Sequence, residues 1–264
     1  MRRAGLVVWE AHQAAARLVQ PGVTTMMIND AVTNVFRRHQ AVPLFLGYPG
    51  KTPFPAATCI SINEEVVHGI PGTRKLLDGD IVSVDTGCSI DGWCGDAAVT
   101  HAVGQISHTA NKLLNVTLAD LNLAIEQIAL KQQWSQISRQ MQSFVEHQGF
   151  SVVETLVGHG IGRKMHEPPQ VPNYYESKHA ADDFDIRPGV VIAIEPMINV
   201  GSKHVRTLAD HWTIVTSDGS LSAHFEHTVA VTESGVRRLT APPDESELEF
   251  VAAEFRDSAR WFDW

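Results

Sequence analysis

Apolar residues recur at helical spacing in two stretches near the start of the chain, residues 4–20 and 25–39. Pro21 and Gly22 separate these stretches, and Thr24 can cap the second helix. Short apolar runs rich in β-branched residues come next, at "ATCISI", "LLDGDIVSVDTG" and from Asp96 to Gly104. The first part of the chain therefore predicts two helices followed by strands.

The same order of elements returns after Ser107. Helical spacing runs from Leu114 to Ile128 and again from Ser135 to a stop at Gly149. Strand-like runs then follow at "SVVETLV", "IRPGVVIAIEPM" and "FEHTVAVTESG". This repetition predicts an α+β fold of two pseudo-symmetric halves, about 1–105 and 106–240, with their sheets joined and helices outside.

Acidic residues occupy equivalent places in the two halves. Aligning "LLDGDIVSVDTG" with "IRPGVVIAIEPM" places Asp85 over Glu195, and we predict that each ends its strand. The next strand of each half begins with another acid, Asp96 or Glu226. Because side chains alternate along a strand, Asp85 and Glu195 each share a face with a small residue, which leaves room above it. Any one of these acids alone would be an ordinary turn residue.

The segment "VGHGIGRKMHEPPQVPN" at residues 157–173 is rich in glycine and proline, and we predict an irregular loop there. Glycines on both sides of His159 leave its imidazole free to turn toward the acids, which makes it the best candidate ligand among the histidines. His68 and His166 lie in turn-rich segments and are candidates to contact substrate or a developing oxyanion. The spacing assigns no role to His204, His224 and His227.

Four carboxylates at one place repel one another unless a cation neutralises them. Two divalent ions with one bound hydroxide would bring the group close to neutrality. Carboxylate oxygens with a single imidazole favour Mn, Fe or Co, with Zn also compatible. The pattern therefore predicts a dinuclear metal centre.

Composition narrows the class of protein. The 264 residues are 44% hydrophobic and 19% charged, which is enough apolar side chain for one large core. A net charge of −9 without any basic cluster argues against nucleic-acid binding, and no apolar run is long enough to span a bilayer. Three cysteines without C-x-x-C spacing, and the lack of a signal-peptide pattern, favour a cytoplasmic protein, and we expect a monomer.

Six motifs in order give the chain a specific resemblance to a known family. They are "CISINEEVVHGIP", "DGDIVSVDTG", "DGWCGD", "GHGIGRKMHE", "AIEPM" and "LSAHFEHTV". From about residue 3 to 240 the chain resembles the type I methionine aminopeptidases. The resemblance implies the pita-bread fold in a single catalytic domain over 1–240, and hydrolytic removal of the initiator methionine from nascent chains.

The resemblance also implies a role for each of the five candidate ligands. Asp85 would chelate one metal ion, Asp96 and Glu226 would bridge both, and His159 and Glu195 would complete the other. Glu195 would additionally shuttle a proton during the reaction.

Further roles follow from the same resemblance. His68 would contact the scissile amide and His166 would stabilise the oxyanion. The methionine side chain would enter a pocket lined by Tyr48, Phe54, Cys59 and Trp212, with Phe45 and Met165 as additional candidates. A monovalent cation would bind near Asn63 and Ser222.

Two rival functions remain open on the sequence. An X-Pro peptidase would share the fold and the ligands, although such enzymes usually add a large N-terminal domain. A non-catalytic peptide-binding module would keep the fold after losing ligands, whereas all five ligand positions here are acidic or histidine.

The tail at residues 241–264 has no counterpart in the resemblance. Apolar residues there share one helical face, which predicts an amphipathic helix packed on its own domain: Leu248, Val251, Phe255 and Phe262.

Overall fold

A computed structural model describes residues 1–177, 182–257, 261–262 and 264. Its helices are α1 (Arg2–Ala16), α2 (Thr25–Arg38), α3 (His108–Ile128) and α4 (Trp134–His147). The side-chain oxygen of Thr24 accepts a hydrogen bond from the Met27 backbone N–H, and that of Ser107 accepts one from Ala110. These caps satisfy backbone donors at the starts of α2 and α3. α2 begins at Thr25 as predicted, whereas α3 begins at His108, before the helical spacing that starts at Leu114.

The strands are short, apart from one long hairpin. They are β1 (Val42–Pro43), β2 (Cys59–Ile62), β3 (Glu65–Val67), β4 (Ile81–Ile90), β5 (Trp93–Ala102), β6 (Ser151–Val152), β7 (Gly158–Gly160), β8 (Glu167–Val171), β9 (Val191–Ile194), β10 (Met197–Asn199), β11 (Val205–Thr207), β12 (Ile214–Thr216), β13 (Ser222–His224), β14 (Glu226–Thr232) and β15 (Gly235–Arg238). The predicted α+β class is confirmed.

The main sheet joins the two halves of the chain edge to edge. Its strands follow the order β1-β4-β5-β14-β9-β7-β8, with β2 also paired to β4 and β15 to β14, and all pairings are antiparallel. The first half of the chain supplies β1, β2, β4 and β5 to this sheet, and the second half supplies β7, β8, β9, β14 and β15. The joint is the pairing of β5 with β14, where Glu226 lies opposite Ala98 and His227 opposite Ala97.

Apolar faces of the helices pack on the sheet and on each other. On α1, Val7 and Val8 are fully buried in one cluster with Val82 and Val84 of β4. A second cluster joins Trp9 to α3, α4 and β14, and a third lies between α3, α4 and the strand β10. No helix among the described residues has the length and apolar character needed to cross a bilayer.

Part of the segment 157–173 is strand, so the prediction of an irregular loop there is wrong. Gly158–Gly160 forms β7 and Glu167–Val171 forms β8, with a loop only between them. A Cβ atom at Gly158 would collide with the Ala193 carbonyl, and one at Gly160 with the Pro168 carbonyl, so glycine permits close strand pairing here. Pro168 and Pro169 lie in β8, which is an edge strand. Proline has no N–H to donate, and the outer side of an edge strand needs no donor.

The described part of the tail is not the predicted amphipathic helix. It contains turns and a short 3-10 helix, Ala253–Phe255, and two of its backbone N–H groups donate to side chains of α1. The Ala252 N–H donates to Glu10 Oε2 (3.1 Å), and the Phe262 N–H donates to Gln13 Oε1 (2.7 Å). The tail packs on its own domain, as the sequence predicts, with Val251 and Phe255 fully buried beside Trp9.

Phe255→Ala should destabilise the protein, because it removes a buried ring from the contact between the tail and α1. We expect a loss of about 3 kcal/mol or more in the free energy of unfolding, measured by urea titration. Leu130→Ala is the control, since that side chain is 72% exposed. Equal, small effects of the two substitutions would contradict the packing of the tail.

Candidate metal centre

The five predicted ligands lie on five neighbouring strands of the main sheet. Asp85 is on β4, Asp96 on β5, Glu226 begins β14, Glu195 directly follows β9, and His159 is the middle residue of β7. Because the sheet order is β4-β5-β14-β9-β7, each strand brings one ligand next to the last. Two parts of the prediction are wrong. β4 does not end at Asp85 but continues to Ile90, and β5 begins at Trp93 rather than at Asp96, so both acids lie within strands.

Strand register places the first three carboxylates on one face. Asp85 on one side of β5 and Glu226 on the other both lie opposite Ala98. Asp96 precedes Ala98 by two positions, so its side chain points to the same face. Only a methyl group projects from Ala98, which leaves space between the three acids.

The second half brings its ligands to the same face. His159 lies opposite Ala193, which lies opposite Thr228, and Thr228 follows Glu226 by two positions. Alternation therefore puts His159 on the face of the acids, and Glu195 comes two positions after Ala193. The sequence prediction of a shared face with room above it agrees with this register.

Distances between ligand atoms fit a metal site. Asp96, His159 and Glu226 each offer one ligand atom, and these atoms lie within 4.8 Å of one another. Glu195 joins them, since its Oε1 is 3.5 Å from His159 Nε2. All the predicted metal and substrate residues line one cavity of about 520 Å³: Tyr48, Phe54, Cys59, His68, Asp85, Asp96, His159, His166, Glu195, Trp212 and Glu226.

Several carboxylate oxygens in the cavity are buried without any hydrogen-bond partner. They are Asp85 Oδ1, Asp96 Oδ1 and Glu226 Oε1. An unpaired buried carboxylate oxygen is costly, and bound divalent cations would give these oxygens partners. The residues present thus fit an oxygen-rich divalent metal site with one imidazole.

The raised pKa values of the four carboxyls also favour a bound cation. Burial, and then the charge of Asp96, raises the pKa of Asp85 and of Glu195 well above the usual range of a carboxyl. Burial raises the pKa of Asp96 to about 8, and burial with three neighbouring acids raises that of Glu226. These carboxyls would therefore hold protons near neutral pH unless a cation replaced them.

The protonation state of His159 suits a metal ligand. Burial lowers its pKa to about 4, so at neutral pH it has the uncharged form that binds metals. Its Nδ1 lies 2.9 Å from the Gly160 carbonyl, which can only accept a hydrogen bond. The ring proton therefore lies on Nδ1, and Nε2 faces Glu195 with a free lone pair.

The two candidate substrate histidines lie on the same cavity. His68 has φ of 61°, unusual outside glycine, and burial lowers its pKa to about 4. His166 packs edge-on against the His159 ring with centroids 4.3 Å apart, and partial burial lowers its pKa. The structure thus brings both histidines within reach of a molecule held beside the carboxylates.

An apolar wall adjoins the carboxylates. Phe45, Phe54 and Cys59 are buried together, and Tyr48, Met165 and Trp212 pack against them. The Phe54 and Trp212 rings meet edge to face at 5.2 Å, and Trp212 Nε1 donates to the Thr52 carbonyl (2.9 Å). Burial and nearby carboxylates raise the pKa of Cys59, which suits a wall residue rather than a nucleophile.

His224 is a cavity residue to which the sequence assigned no role. Its ring is buried, both ring nitrogens lack hydrogen-bond partners, and Nε2 lies 3.8 Å from Glu195 Oε2. A signal was present, because His224 precedes Glu226 by two positions and strand alternation favours a shared face. His227 is buried away from the cavity, 2.8 Å from the Thr240 hydroxyl.

Asn63 and Ser222 also lie side by side, but outside the cavity wall. The Ser222 N–H donates to the Asn63 carbonyl at 2.9 Å, and the Asn63 side chain bonds to Asp80 and to Ile81.

Comparison with known proteins identifies the family. The chain matches metallopeptidase family M24 over residues 1–233. It belongs to that family.

Relatives within family M24 are similar over almost their whole length. Methionine aminopeptidase 1 of Bacillus subtilis is 44% identical over 240 residues, covering 91% of this chain and 94% of the relative. The methionine aminopeptidase of Escherichia coli is 41% identical over 251 residues, covering 93% and 92%. The crystal structure of methionine aminopeptidase from Thermotoga maritima superimposes with a TM-score of 0.85 at 41% identity, covering 91% and 94%. The pita-bread fold of family M24 is thereby confirmed.

More distant family M24 structures share the fold. Prolidase from Pyrococcus furiosus superimposes with a TM-score of 0.69 at 20% identity. This chain covers 63% of that protein, while 92% of this chain is matched.

When this protein is free of metal, its free energy of unfolding should fall as the pH rises from about 6.5 to about 8. Asp96 has a pKa of about 8 in the folded protein, against about 3.9 unfolded, so only the folded state keeps its proton in this range. Rising pH therefore favours unfolding. Buried histidines such as His159 have the opposite effect, but below their unfolded pKa of about 6.5.

This pH dependence can be measured as Tm against pH after chelation of metal. Asp96→Asn should flatten the fall, whereas Asp30→Asn, at an exposed position on α2, should leave it unchanged. Added Mn²⁺ should raise the Tm of the wild type most at the upper end of the range. An unaltered slope in Asp96→Asn would contradict the assignment.

Proposed function

We propose that this chain is a methionine aminopeptidase, which removes the N-terminal methionine from peptides and new polypeptide chains by metal-dependent hydrolysis. The observation that carries the proposal is a single cavity that joins the five metal-ligating side chains to an apolar, sulfur-compatible wall. The names of relatives 41% and 44% identical to the chain support the same substrate.

Asp85, Asp96, His159, Glu195 and Glu226 would hold the metal, which we infer to be two divalent ions of Co, Mn, Fe or Zn. Four carboxylates need two divalent ions to approach neutrality. Three of them have a buried oxygen without a hydrogen-bond partner, which supports metal binding. When bound, such ions polarise a carbonyl and lower the pKa of water so that it becomes a nucleophile near neutral pH. We propose a monovalent cation near Asn63 and Ser222.

Glu195 is the residue best placed to move a proton. It lies at the end of β9 with 15% of its side chain exposed, and each of its oxygens has an imidazole nitrogen within 4 Å. A carboxylate in this position can accept a proton and release it again, as a general acid–base catalyst must. In this proposal it takes the proton from the attacking water and passes it to the departing amine.

The histidines and the apolar wall position the substrate. His68 donates a hydrogen bond to the scissile amide, and His166 donates one to the carbonyl oxygen as negative charge develops there. The methionine side chain occupies the space between Tyr48, Phe54 and Trp212, with its free α-amine toward Asp85. Because the free α-amine must lie beside Asp85, only the first peptide bond reaches the site, which explains the removal of a single residue.

We also propose that the enzyme acts as a monomer in the cytoplasm on nascent chains, without nucleic-acid or membrane partners. The net charge of −9 supports only the lack of a nucleic-acid partner, since clustered basic residues are needed to bind phosphates.

Hydrolysis of Met-Ala-Ser, with little or no hydrolysis of Ala-Pro peptides, is the expected substrate pattern. The apolar wall fits a thioether side chain in the first position. Protein stripped of metal should be inactive and should regain activity with Co, Mn, Fe or Zn supplied singly. Preference for Ala-Pro would favour the X-Pro peptidase, and tight peptide binding without bound metal or turnover would favour the non-catalytic module.

Glu195→Gln should lower kcat for Met-Ala-Ser by about a hundredfold or more, because the amide cannot accept the proton. Circular dichroism and Tm should show that the variant stays folded. Glu154→Gln is the matched control, since Glu154 pairs with Lys203 at the surface, away from the cavity. Wild-type turnover by Glu195→Gln would remove Glu195 from the chemistry.

A further inference from the structure

Tyr48 makes a polar contact that a hydrophobic wall residue does not need. Its hydroxyl oxygen lies 2.7 Å from His166 Nδ1, and the two rings meet edge to face at an angle of 87° with centroids 5.4 Å apart. The hydrogen bond joins the two halves of the molecule, since Tyr48 comes from the first and His166 from the second. Both side chains line the cavity.

The direction of this hydrogen bond follows from the acidity of the two groups. A phenol O–H, with a pKa of about 10, is a much stronger acid than the N–H of a neutral imidazole. The lone pair of an imidazole nitrogen is in turn a better acceptor than a phenol oxygen. In the neutral ring, Tyr48 is therefore the donor and His166 Nδ1 the acceptor, so the ring proton lies on Nε2.

We propose that Tyr48 is a positioning residue that acts through His166. Its hydroxyl holds the His166 ring in the tautomer whose Nε2–H is the donor, and it fixes the direction in which that donor points. The proposal rests on the proposed function, in which His166 donates to the developing oxyanion. A ring with its proton on Nδ1 would present a lone pair to that oxyanion and would repel it.

The loop that carries Tyr48 is held rigidly enough for this task. The Tyr48 N–H donates to the Phe45 carbonyl at 2.9 Å, and the Tyr48 carbonyl accepts from the Phe54 N–H at 3.0 Å. The Trp212 indole donates to the Thr52 carbonyl at 2.9 Å, which ties the same loop to the second half. The backbone of Tyr48 is thus held on both sides. Its hydroxyl is therefore a fixed donor that orients His166.

A plain wall role for Tyr48 makes a different prediction. Phenylalanine at this position keeps the ring that would contact the methionine side chain and loses only the hydroxyl. If Tyr48 served the methionine side chain alone, Tyr48→Phe would keep kcat and change at most KM. If it acts through His166, the loss falls on kcat.

The first experiment reads the tautomer without turnover. Side-chain ¹⁵N shifts of His166 would be recorded in the Zn-loaded full-length protein, with the signals assigned from the spectrum of His166→Gln. We expect a protonated Nε2 and an unprotonated, hydrogen-bonded Nδ1 in the wild type, and mixed tautomers in Tyr48→Phe. A protonated Nδ1 in the wild type, or identical shifts in Tyr48→Phe, would overturn the proposal.

The second experiment measures hydrolysis of Met-Ala-Ser. Tyr48→Phe should lower kcat about tenfold, the value of one neutral hydrogen bond, with KM within about twofold. In a His166→Ala background, the same change should have no further effect, because its target is gone. Tyr175→Phe is the matched control: it also removes one phenol hydroxyl, but Tyr175 lies outside the metal cavity, where its ring contacts Arg139.

The outcomes separate this proposal from the proposed function. An equal kcat loss from Tyr48→Phe with and without His166 would overturn the action through His166. If the wild type hydrolyses no methionine peptide, the proposed function fails, while the ¹⁵N shifts still decide whether Tyr48 sets the His166 tautomer.

Discussion

The crowding of carboxylates on one face of one sheet is the constraint on which the rest of the structure depends. Three of the four acids have an unpartnered buried oxygen, and in each of the four burial raises the pKa. The fold keeps them together through the backbone: the Thr228 hydroxyl accepts from the Asp96 N–H (3.0 Å) and donates to its carbonyl (2.8 Å). The acids are thus held in place before a metal arrives, and the cation relieves a repulsion that the protein has already built in.

This constraint explains why the two halves form one sheet. The first half carries Asp85 and Asp96, and the second carries His159, Glu195 and Glu226. Neither half alone carries all five candidate ligands. Pairing of β5 with β14 brings the sets together with the fixed spacing of neighbouring strands, about 4.8 Å. A pseudo-symmetric duplication therefore produces a site that exists only at the joint.

Strand alternation and the internal repeat were enough to predict the acids on a common face, because both depend on local spacing. Predictions from local spacing were wrong where contacts between residues distant in sequence decide the structure. Gly158 and Gly160 looked like loop residues, yet they allow β7 to pair closely with its neighbours. The tail has helical apolar spacing, but hydrogen bonds to Glu10 and Gln13 on α1 hold it in another conformation. His224 was left unassigned because two histidines, His224 and His227, flank Glu226 in the sequence, and only the structure places His224 near Glu195.

The segment 157–173 carries two imidazoles that are held in different ways, and the difference matches their chemistry. His159 is part of a strand, with one nitrogen bonded to backbone, so its ring has little freedom and suits a fixed ion. His166 lies on the loop between β7 and β8, where no strand pairing restrains it. A side chain that is to contact substrate must stay accessible, and an accessible side chain on a loop is less rigid than one on a paired strand. Contacts with the His159 ring and the Tyr48 hydroxyl hold the His166 ring on two sides, while its side chain stays exposed.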